Sequence, residues 1–199
     1  METDLILKNV ARHTVLDEDE KKLFVSLLEP RTLKRKTLYL EAGTVCKYSA
    51  FVVEGAMKSF TVDQEGKEHI LSFAINDWWI SDMYSLLSQK PAILNIEAIA
   101  DSEVLMLSRD NQQLLYKEIP KFERFFRILV ENALVANQQR LIENLSATAQ
   151  ERYLRFIKKY PTIPSCVPQH NIASYLGITP EFLSKIRARL ARGNKTVRS

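Results

Sequence analysis

The fold is decided by one stretch near the C-terminus, Pro168-Gln-His-Asn-Ile-Ala-Ser-Tyr-Leu-Gly-Ile-Thr-Pro-Glu-Phe-Leu-Ser-Lys-Ile-Arg-Ala-Arg-Leu190. Gly177 suits the left-handed backbone of a tight turn, and Ala173 is small enough to lie where two helices cross. Apolar residues recur at helical spacing on both sides of the turn: Ile172, Leu176, Ile178, Leu183, Ile186 and Leu190. This spacing predicts a helix-turn-helix, two short helices joined at a steep angle.

The start of the second helix carries the signals of a well-capped N-terminus. Thr179 is a good N-cap, Pro180 suits the first helical position, and Glu181 suits the positive end of the helix dipole. These signals strengthen the helix-turn-helix prediction. Two helices packed as a purely structural corner are the alternative that the pattern alone leaves open.

The second helix is predicted to keep one face free for another molecule. At about 100° per residue, five side chains lie opposite the apolar stripe: Glu181, Ser184, Lys185, Ala188 and Arg192. In a helix-turn-helix this face enters the major groove of duplex DNA, with the N-terminal residues deepest. Lys185 would donate to guanine and Glu181 would accept from cytosine, although each residue taken singly also fits a solvated surface.

Further candidate DNA-binding residues surround that face. Arg187 and Arg189 lie on its two flanks and suit phosphate groups. Gln169 and His170 open the first helix, where they can touch the DNA backbone, and Thr179 lies at the turn.

Charge is distributed unevenly along the chain. The formal net charge is +4, but residues 146–199 hold ten basic and two acidic side chains, which is +8 and leaves −4 for the rest. The basic residues of this segment are Arg152, Arg155, Lys158, Lys159, Lys185, Arg187, Arg189, Arg192, Lys195 and Arg198. A basic end on an acidic body favours a polyanionic partner for that end.

Between Arg31 and Ser108 the pattern changes to that of short strands. Apolar or alternating runs predict strands at Thr37–Leu40, Ala50–Val53, Met57–Val62, His69–Phe73, Asn95–Ala100 and Val104–Ser108. Asp63–Lys67 is predicted to be a hairpin loop of about five residues, and Met83–Ser88 a short helix. The spacing predicts one β-roll. The residues before it are expected to be helical as far as Pro30, which would end the helix.

The residues after the predicted roll read as helical. A helix that starts at Pro120 and runs to about Leu145 would be about 39 Å long, more than a small roll needs for packing. Part of its apolar stripe could cover the roll, and another part could pair with a second copy of the chain. Packing within its own chain alone is the alternative. A shorter helix is predicted over Ala147–Tyr160, followed by a break at Pro161–Pro164.

This order of elements resembles the Crp/Fnr family, that of the cyclic-AMP receptor protein. The matching stretches are the helix-turn-helix, Phe51-Val-Val-Glu-Gly55, Ile75-Asn-Asp77 and Glu97–Leu107. The resemblance implies an α+β fold with a cyclic-nucleotide-binding-type β-roll, a double-stranded β-helix or jelly roll. It also implies a long dimerisation helix, a small helical C-terminal domain, and a homodimer that binds double-stranded DNA and regulates transcription. We expect domains at 1–118, 119–145 and 146–199, and RNA polymerase is a candidate partner.

The chain departs from the family where cyclic AMP would bind. The resemblance implies a Glu, part of a Gly-Glu pair, that holds the ribose and an Arg that holds the cyclic phosphate. Residues 76–96 contain no Gly-Glu pair, and the Arg position falls near Ala92 or Ile93. A buried phosphate without its counter-charge would be costly, so we expect no cyclic AMP binding. Lys90 is a weak substitute for the Arg, and we expect Trp78 and Trp79 to belong to the core rather than to a ligand clamp.

Other expectations concern the C-terminus and the kind of protein. The nine residues after Leu190 do not suit the β-hairpin wing that follows the recognition helix in the family, and Lys195 and Arg198 could instead contact phosphate. Only two cysteines, Cys46 and Cys166, are present, so we expect free thiols and a cytoplasmic location. No run of apolar residues suggests a membrane span.

Two other functions remain as alternatives at this stage. A cupin-like enzyme or small-molecule binder would need a cluster of metal-binding histidines, and His13, His69 and His170 are dispersed. We therefore expect no enzyme, no metal and no cofactor. A module that binds a cyclic nucleotide or another small molecule and signals to a partner protein is the second alternative, and the effector is unknown.

Overall fold

The structure, a computed structural model, describes residues 3–193 of the 199-residue chain. The predicted phosphate contacts of Lys195 and Arg198, and the predicted lack of a wing, lie outside the described residues. The strands are β1 (Leu28–Leu33), β2 (Leu38–Leu40), β3 (Tyr48–Glu54), β4 (Ala56–Val62), β5 (Glu68–Ile75), β6 (Trp78–Ile80), β7 (Asn95–Ala98) and β8 (Ser102–Ser108). The helices are α1 (Asp4–Ala11), α2 (Glu18–Ser26), α3 (Met83–Ser88), α4 (Arg109–Glu118), α5 (Lys121–Ser146), α6 (Ala149–Lys159), α7 (Ile163–Cys166), α8 (Gln169–Tyr175) and α9 (Pro180–Gly193).

Backbone packing divides the chain into two compact units, Met1–Thr61 with Leu71–Asn137 and Val62–Ile70 with Gln138–Ser199. The first contains most of a β-roll built from two four-stranded sheets, in the orders β1-β8-β3-β6 and β2-β7-β4-β5. The second contains the tip of the β4–β5 hairpin and the C-terminal helices. The boundaries predicted at 118 and 145 stay a prediction.

The central strands β3 and β8 are buried on both faces. Because side chains alternate along a strand, successive residues of each strand pack on opposite sides of the sheet. Alternate residues of these strands join an inner core with side chains of the second sheet: Ala50, Val52, Val104, Met106, Met57, Ile96 and Ala98. The intervening residues pack outward against the helices: Phe51, Leu105 and Leu107 with Phe24, Leu115, Phe122 and Phe125. The helices α1, α2, α4 and the start of α5 therefore cover one face of the roll.

The predicted roll is confirmed, with two strands that the sequence pattern did not predict. Residues expected to end a helix at Pro30 instead form β1, which pairs with β8 from Leu28 to Leu33. Because β1 is at the edge of its sheet, Pro30 can lack a backbone N–H without breaking a ladder. The other addition is β6, in which Trp78 and Trp79 pair with β3.

The two tryptophans are confirmed as parts of the core. Trp78 packs against the inner core and Trp79 against the outer one. The indole N–H of Trp79 donates to Asn9 Oδ1 at 3.3 Å.

The predicted helices of the C-terminal half are confirmed as α5, α6, α8 and α9, with ends shifted by one to three residues. The break expected at Pro161–Pro164 does end α6, but it also contains the start of the one-turn helix α7. Pro164 lies in the first turn of α7, where its missing N–H costs nothing.

Candidate nucleic-acid interface

The turn between α8 and α9 has the geometry that the sequence predicts. Gly177 has a φ of 67°, in the left-handed region. Its N–H donates to Ser174 O, and the N–H of Ile178 donates to Ala173 O, both at 3.0 Å. This pair of bonds satisfies the last carbonyl groups of α8 and turns the chain toward α9.

Arg152 adds a second clamp at the same turn. Its Nη2 donates to Leu176 O at 3.1 Å, and its Nη1 donates to Ala147 O at 2.8 Å. One guanidinium of α6 thus ties the junction between α5 and α6 to the end of α8. The sequence predicts Arg152 only as part of the basic charge of this segment, because a contact over 24 residues leaves no local pattern.

The helix α9 packs against the rest of its unit by its apolar side. Leu183 is 1% exposed and Ile186 is 4% exposed, whereas all five side chains predicted for the opposite face are exposed. The N-cap at Thr179 is confirmed, since its Oγ1 accepts the N–H of Phe182 at 3.2 Å. The structure therefore leaves Glu181, Ser184, Lys185, Ala188 and Arg192 accessible together on one helix.

The other predicted contact residues differ in their exposure. Arg187, Arg189 and His170 are exposed. Gln169 is half-buried, and its Oε1 is buried without a hydrogen-bond partner among the described groups. Only part of the Gln169 amide is therefore free to meet a ligand.

The carboxyl group of Glu181 is held in its ionised form. Its pKa is lowered from the ordinary value, first by its own backbone N–H, then by the Thr179 hydroxyl and the charge of Lys185. An ionised carboxylate only accepts hydrogen bonds, which is what contact with a cytosine amino group requires.

A cleft of about 310 Å³ lies between α9 and the N-terminus of α6, lined by Thr148, Ala149, Gln150, Phe182, Lys185, Ile186 and Arg189. The α6 end is a capping box, in which the N–H of Thr148 donates to Glu151 Oε2 at 2.8 Å and the N–H of Glu151 donates to Thr148 Oγ1 at 3.3 Å. The positive end of a helix and two basic side chains thus share this cleft. The Thr-x-x-Glu pattern at 148–151 was the sequence signal for it.

The hairpin tip is bound to α8 within the second unit. The Ser174 hydroxyl donates to Glu68 O at 2.7 Å and accepts the N–H of Ile70 at 3.2 Å. Arg140 of α5 donates to Ile70 O at 3.0 Å and to Tyr175 O at 2.8 Å, and it stacks 3.9 Å from the centre of the Tyr175 ring. These contacts hold the C-terminal end of α8, and His170 at its N-terminal end stays exposed.

A second candidate site is the region of residues 76–96 in the roll, here called the cassette, which contains a buried carboxylate. Asp82 is 1% exposed and accepts the N–H groups of Ser85 at 3.0 Å, Ile93 at 3.1 Å and Leu94 at 3.2 Å. Ala92, at one predicted Arg position, is packed in the inner core, and Ile93 is exposed. The Asp82 carboxylate therefore accepts all three of these backbone N–H groups.

Among residues 3–193 there is no group of three or more His, Cys, Asp or Glu side chains that could hold a metal ion. Within the same range, no helix combines the length and the apolar content that a membrane crossing requires.

Comparison with known proteins identifies the roll and the fold. A family model for the cyclic nucleotide-binding domain matches residues 30–118. The Anaerobic regulatory protein of Pasteurella multocida (strain Pm70) is 22% identical over 189 residues, which cover 89% of this chain and 68% of that protein.

Two solved structures are similar over most of the chain. FixK2 from Bradyrhizobium japonicum has a TM-score of 0.74 at 19% identity, covering 84% of this chain and 86% of that chain. A Crp/Fnr-family protein from Eubacterium rectale has a TM-score of 0.66 at 17% identity, covering 89% and 85%. The predicted resemblance is confirmed at the level of the fold: residues 30–118 match the model of the cyclic nucleotide-binding domain, and most of the chain has the fold of these two structures.

Proposed function

We propose that this chain is a sequence-specific, DNA-binding transcription regulator and not an enzyme. The observation that carries the proposal is the exposed face of α9, which presents Glu181, Ser184 and Lys185 in its first two turns while Leu183 and Ile186 hold it from beneath. A helix in this setting fits the major groove, where Lys185 would bind guanine and Glu181 cytosine.

The DNA backbone would be held by groups around that face. Arg187 and Arg189 are exposed on the flanks of α9, and the cleft at the N-terminus of α6 offers backbone N–H groups beside Lys185 and Arg189. Phosphate contacts of this kind position a protein on DNA without selecting sequence.

The chain would act as a homodimer through α5. Four exposed apolar side chains fall within about 60° of one another on that helix, at 100° per residue. They are Val130, Leu134, Leu141 and Leu145, with exposures of 47%, 66%, 61% and 81%. An apolar stripe of this kind suits a matching helix of a second copy, and a two-fold dimer would bind a pseudo-palindrome with half-sites about one helical turn apart.

The roll would not respond to cyclic AMP. Asp82 already accepts the N–H groups of Ile93 and Leu94, and a cyclic phosphate there would meet its negative charge. Isothermal calorimetry with cyclic AMP and cyclic GMP should show no binding heat, and a micromolar dissociation constant would contradict this. A module that signals to a protein through another small molecule is the second candidate function, and RNA polymerase is a proposed partner of the first.

Duplex binding by the full chain tests the main proposal. Sequences selected from random duplex DNA serve as probes, and fluorescence anisotropy gives the dissociation constant. Lys185→Ala and Glu181→Ala should each relax the base preference at one position, at a cost of about 1–3 kcal/mol. Unchanged preference in both variants would contradict the assignment of these residues.

Charge removal at the flanks provides the contrast. Arg187→Ala and Arg189→Ala should weaken binding to all sequences alike and reduce the salt-dependence slope by about one each. A change of base preference in these variants, without a change of slope, would contradict their role as phosphate contacts.

A further inference from the structure

Phe182 is an apolar side chain at an unexpected place on α9. It is 49% exposed, whereas Leu183 and Ile186 of the same helix are nearly fully buried. At 100° per residue it lies about 40° from Ile186 and about 60° from Lys185, between the buried stripe and the exposed polar face. Its backbone N–H donates to Thr179 Oγ1, which places Phe182 in the first turn of the helix. About half of the Phe182 side chain is therefore left without a partner from α9 or from its neighbours among residues 3–193.

The surroundings of Phe182 are cationic. Lys185 and Arg189 follow it at three and seven residues, on the same side of the helix, and all three line the cleft at the N-terminus of α6. Apolar surface that is edged by positive charge suits an apolar group carried by a polyanion. The major groove of DNA offers one such group, the 5-methyl of thymine, and Phe is among the side chains that contact it.

We propose that Phe182 selects a thymine in each half-site by packing its ring against the 5-methyl group. This inference rests on the proposed function and deepens it, because it names a base that Lys185 and Glu181 do not select. The first turn of a recognition helix lies deepest in the groove, which brings the ring within reach of a base edge.

Deoxyuridine substitution tests the contact directly, since it removes only the methyl group. The full chain is titrated by fluorescence anisotropy against its selected duplex and against versions with one thymine per half-site replaced by deoxyuridine. At the contacted thymine, loss of one methyl should weaken binding by about fourfold per half-site. Phe182→Ala should bind both duplexes equally, at the weaker level.

Two control measurements show whether the methyl effect arises from a folding defect or from a general loss of DNA affinity. Phe182→Ala should keep the thermal midpoint of the parent chain, because the ring is half exposed. Lys185→Ala should weaken binding to the thymine and deoxyuridine duplexes by the same factor, so that the methyl effect persists. Binding that is insensitive to every thymine methyl, or a methyl effect that survives in Phe182→Ala, would overturn this inference and leave DNA binding intact. Failure to bind any duplex would overturn the proposed function itself.

Discussion

The exposed face of α9 and the cassette of the roll are both candidate binding sites, but their polar groups face in opposite directions. On α9 the apolar side chains face inward, and the polar ones, Glu181 and Lys185 among them, are left to solvent. In the cassette the polar group, Asp82, faces inward and accepts three backbone N–H groups of its own chain. The polar side chains of α9 are therefore accessible to a ligand, whereas the Asp82 carboxylate of the cassette already bonds to its own chain.

This contrast shows why a match to a domain family does not settle what a domain binds. Residues 30–118 match the cyclic nucleotide-binding domain, and the roll topology follows from that match. Ligand capacity depends on individual donors and charges instead. Ala92 and Asp82 reverse the local charge that the resemblance to the Crp/Fnr family implies for a phosphate site.

The largest effect is expected from opening the cassette. Asp82→Ala removes an acceptor that is shared by three N–H groups, so the free energy of unfolding should fall by about 3 kcal/mol. Asp82→Asn keeps one acceptor oxygen and should lose about 1 kcal/mol. Urea denaturation of both variants checks this. Equal losses in the two variants, or none, would show that Asp82 does not hold the cassette closed.

The next largest effect is expected at the exposed apolar stripe of α5. Like the polar face of α9, this stripe is not covered by the described residues of its own chain. Leu134→Glu should raise the dimer dissociation constant by about 100-fold, since a charge would be buried in an apolar interface. Gln139→Glu adds the same charge on the opposite side of the helix and should leave the dimer intact. Analytical ultracentrifugation distinguishes them, and a wild-type chain that is monomeric at all concentrations would contradict the dimer.

A smaller effect is expected at the contact between the hairpin tip and α8. Ser174→Ala removes a donor to Glu68 O and an acceptor for the N–H of Ile70, so stability should fall by about 1 kcal/mol. Hydrogen exchange at the Ile70 amide should accelerate, and DNA base preference should not change. Ser165→Ala removes only a local bond to Thr162 O and serves as control. Unchanged exchange at Ile70 in Ser174→Ala would contradict the contact.

The smallest effect belongs to the capping box of α6. The pKa of Glu151 is lowered from 4.5, mainly by the backbone N–H of Thr148, so its stabilisation is present above pH 4.5 and is lost as the pH falls through the lowered value. Glu151→Gln should lower the thermal midpoint by roughly 1 °C at pH 7 and by less in acid. A larger loss in acid than at pH 7 would reverse the sign and contradict the assignment.

The sequence predicts those elements that carry their own local pattern. Gly177, Thr179 and the apolar spacing of α9 identify the helix-turn-helix, because capping and periodicity act within a few residues. The six predicted strands alternate or carry short apolar runs and are confirmed. By contrast β1 contains Pro30 and exposed polar residues, and its conformation is fixed by pairing with β8 about 70 residues later.

The candidate site on α9 is likewise predictable from the sequence only where local patterns determine it. Exposure of Lys185 and burial of Leu183 follow from helical phase, so the sequence predicts them. The contacts of Arg140, Arg152 and Ser174 join segments that are far apart in the chain, and nothing near these residues predicts their partners. Phe182 did carry a signal, an apolar residue at the border between the buried stripe and the polar face, but helical phase alone does not say what an exposed ring contacts.

The most direct test of the central claim is selection of random duplex DNA by the full, ligand-free chain at moderate salt, followed by measurement of the dissociation constant. We expect enrichment of a two-fold-related sequence whose binding loses base preference in Lys185→Ala. No enrichment, and no retention of duplex DNA even in dilute salt, would contradict the assignment of α9 as a DNA-binding surface.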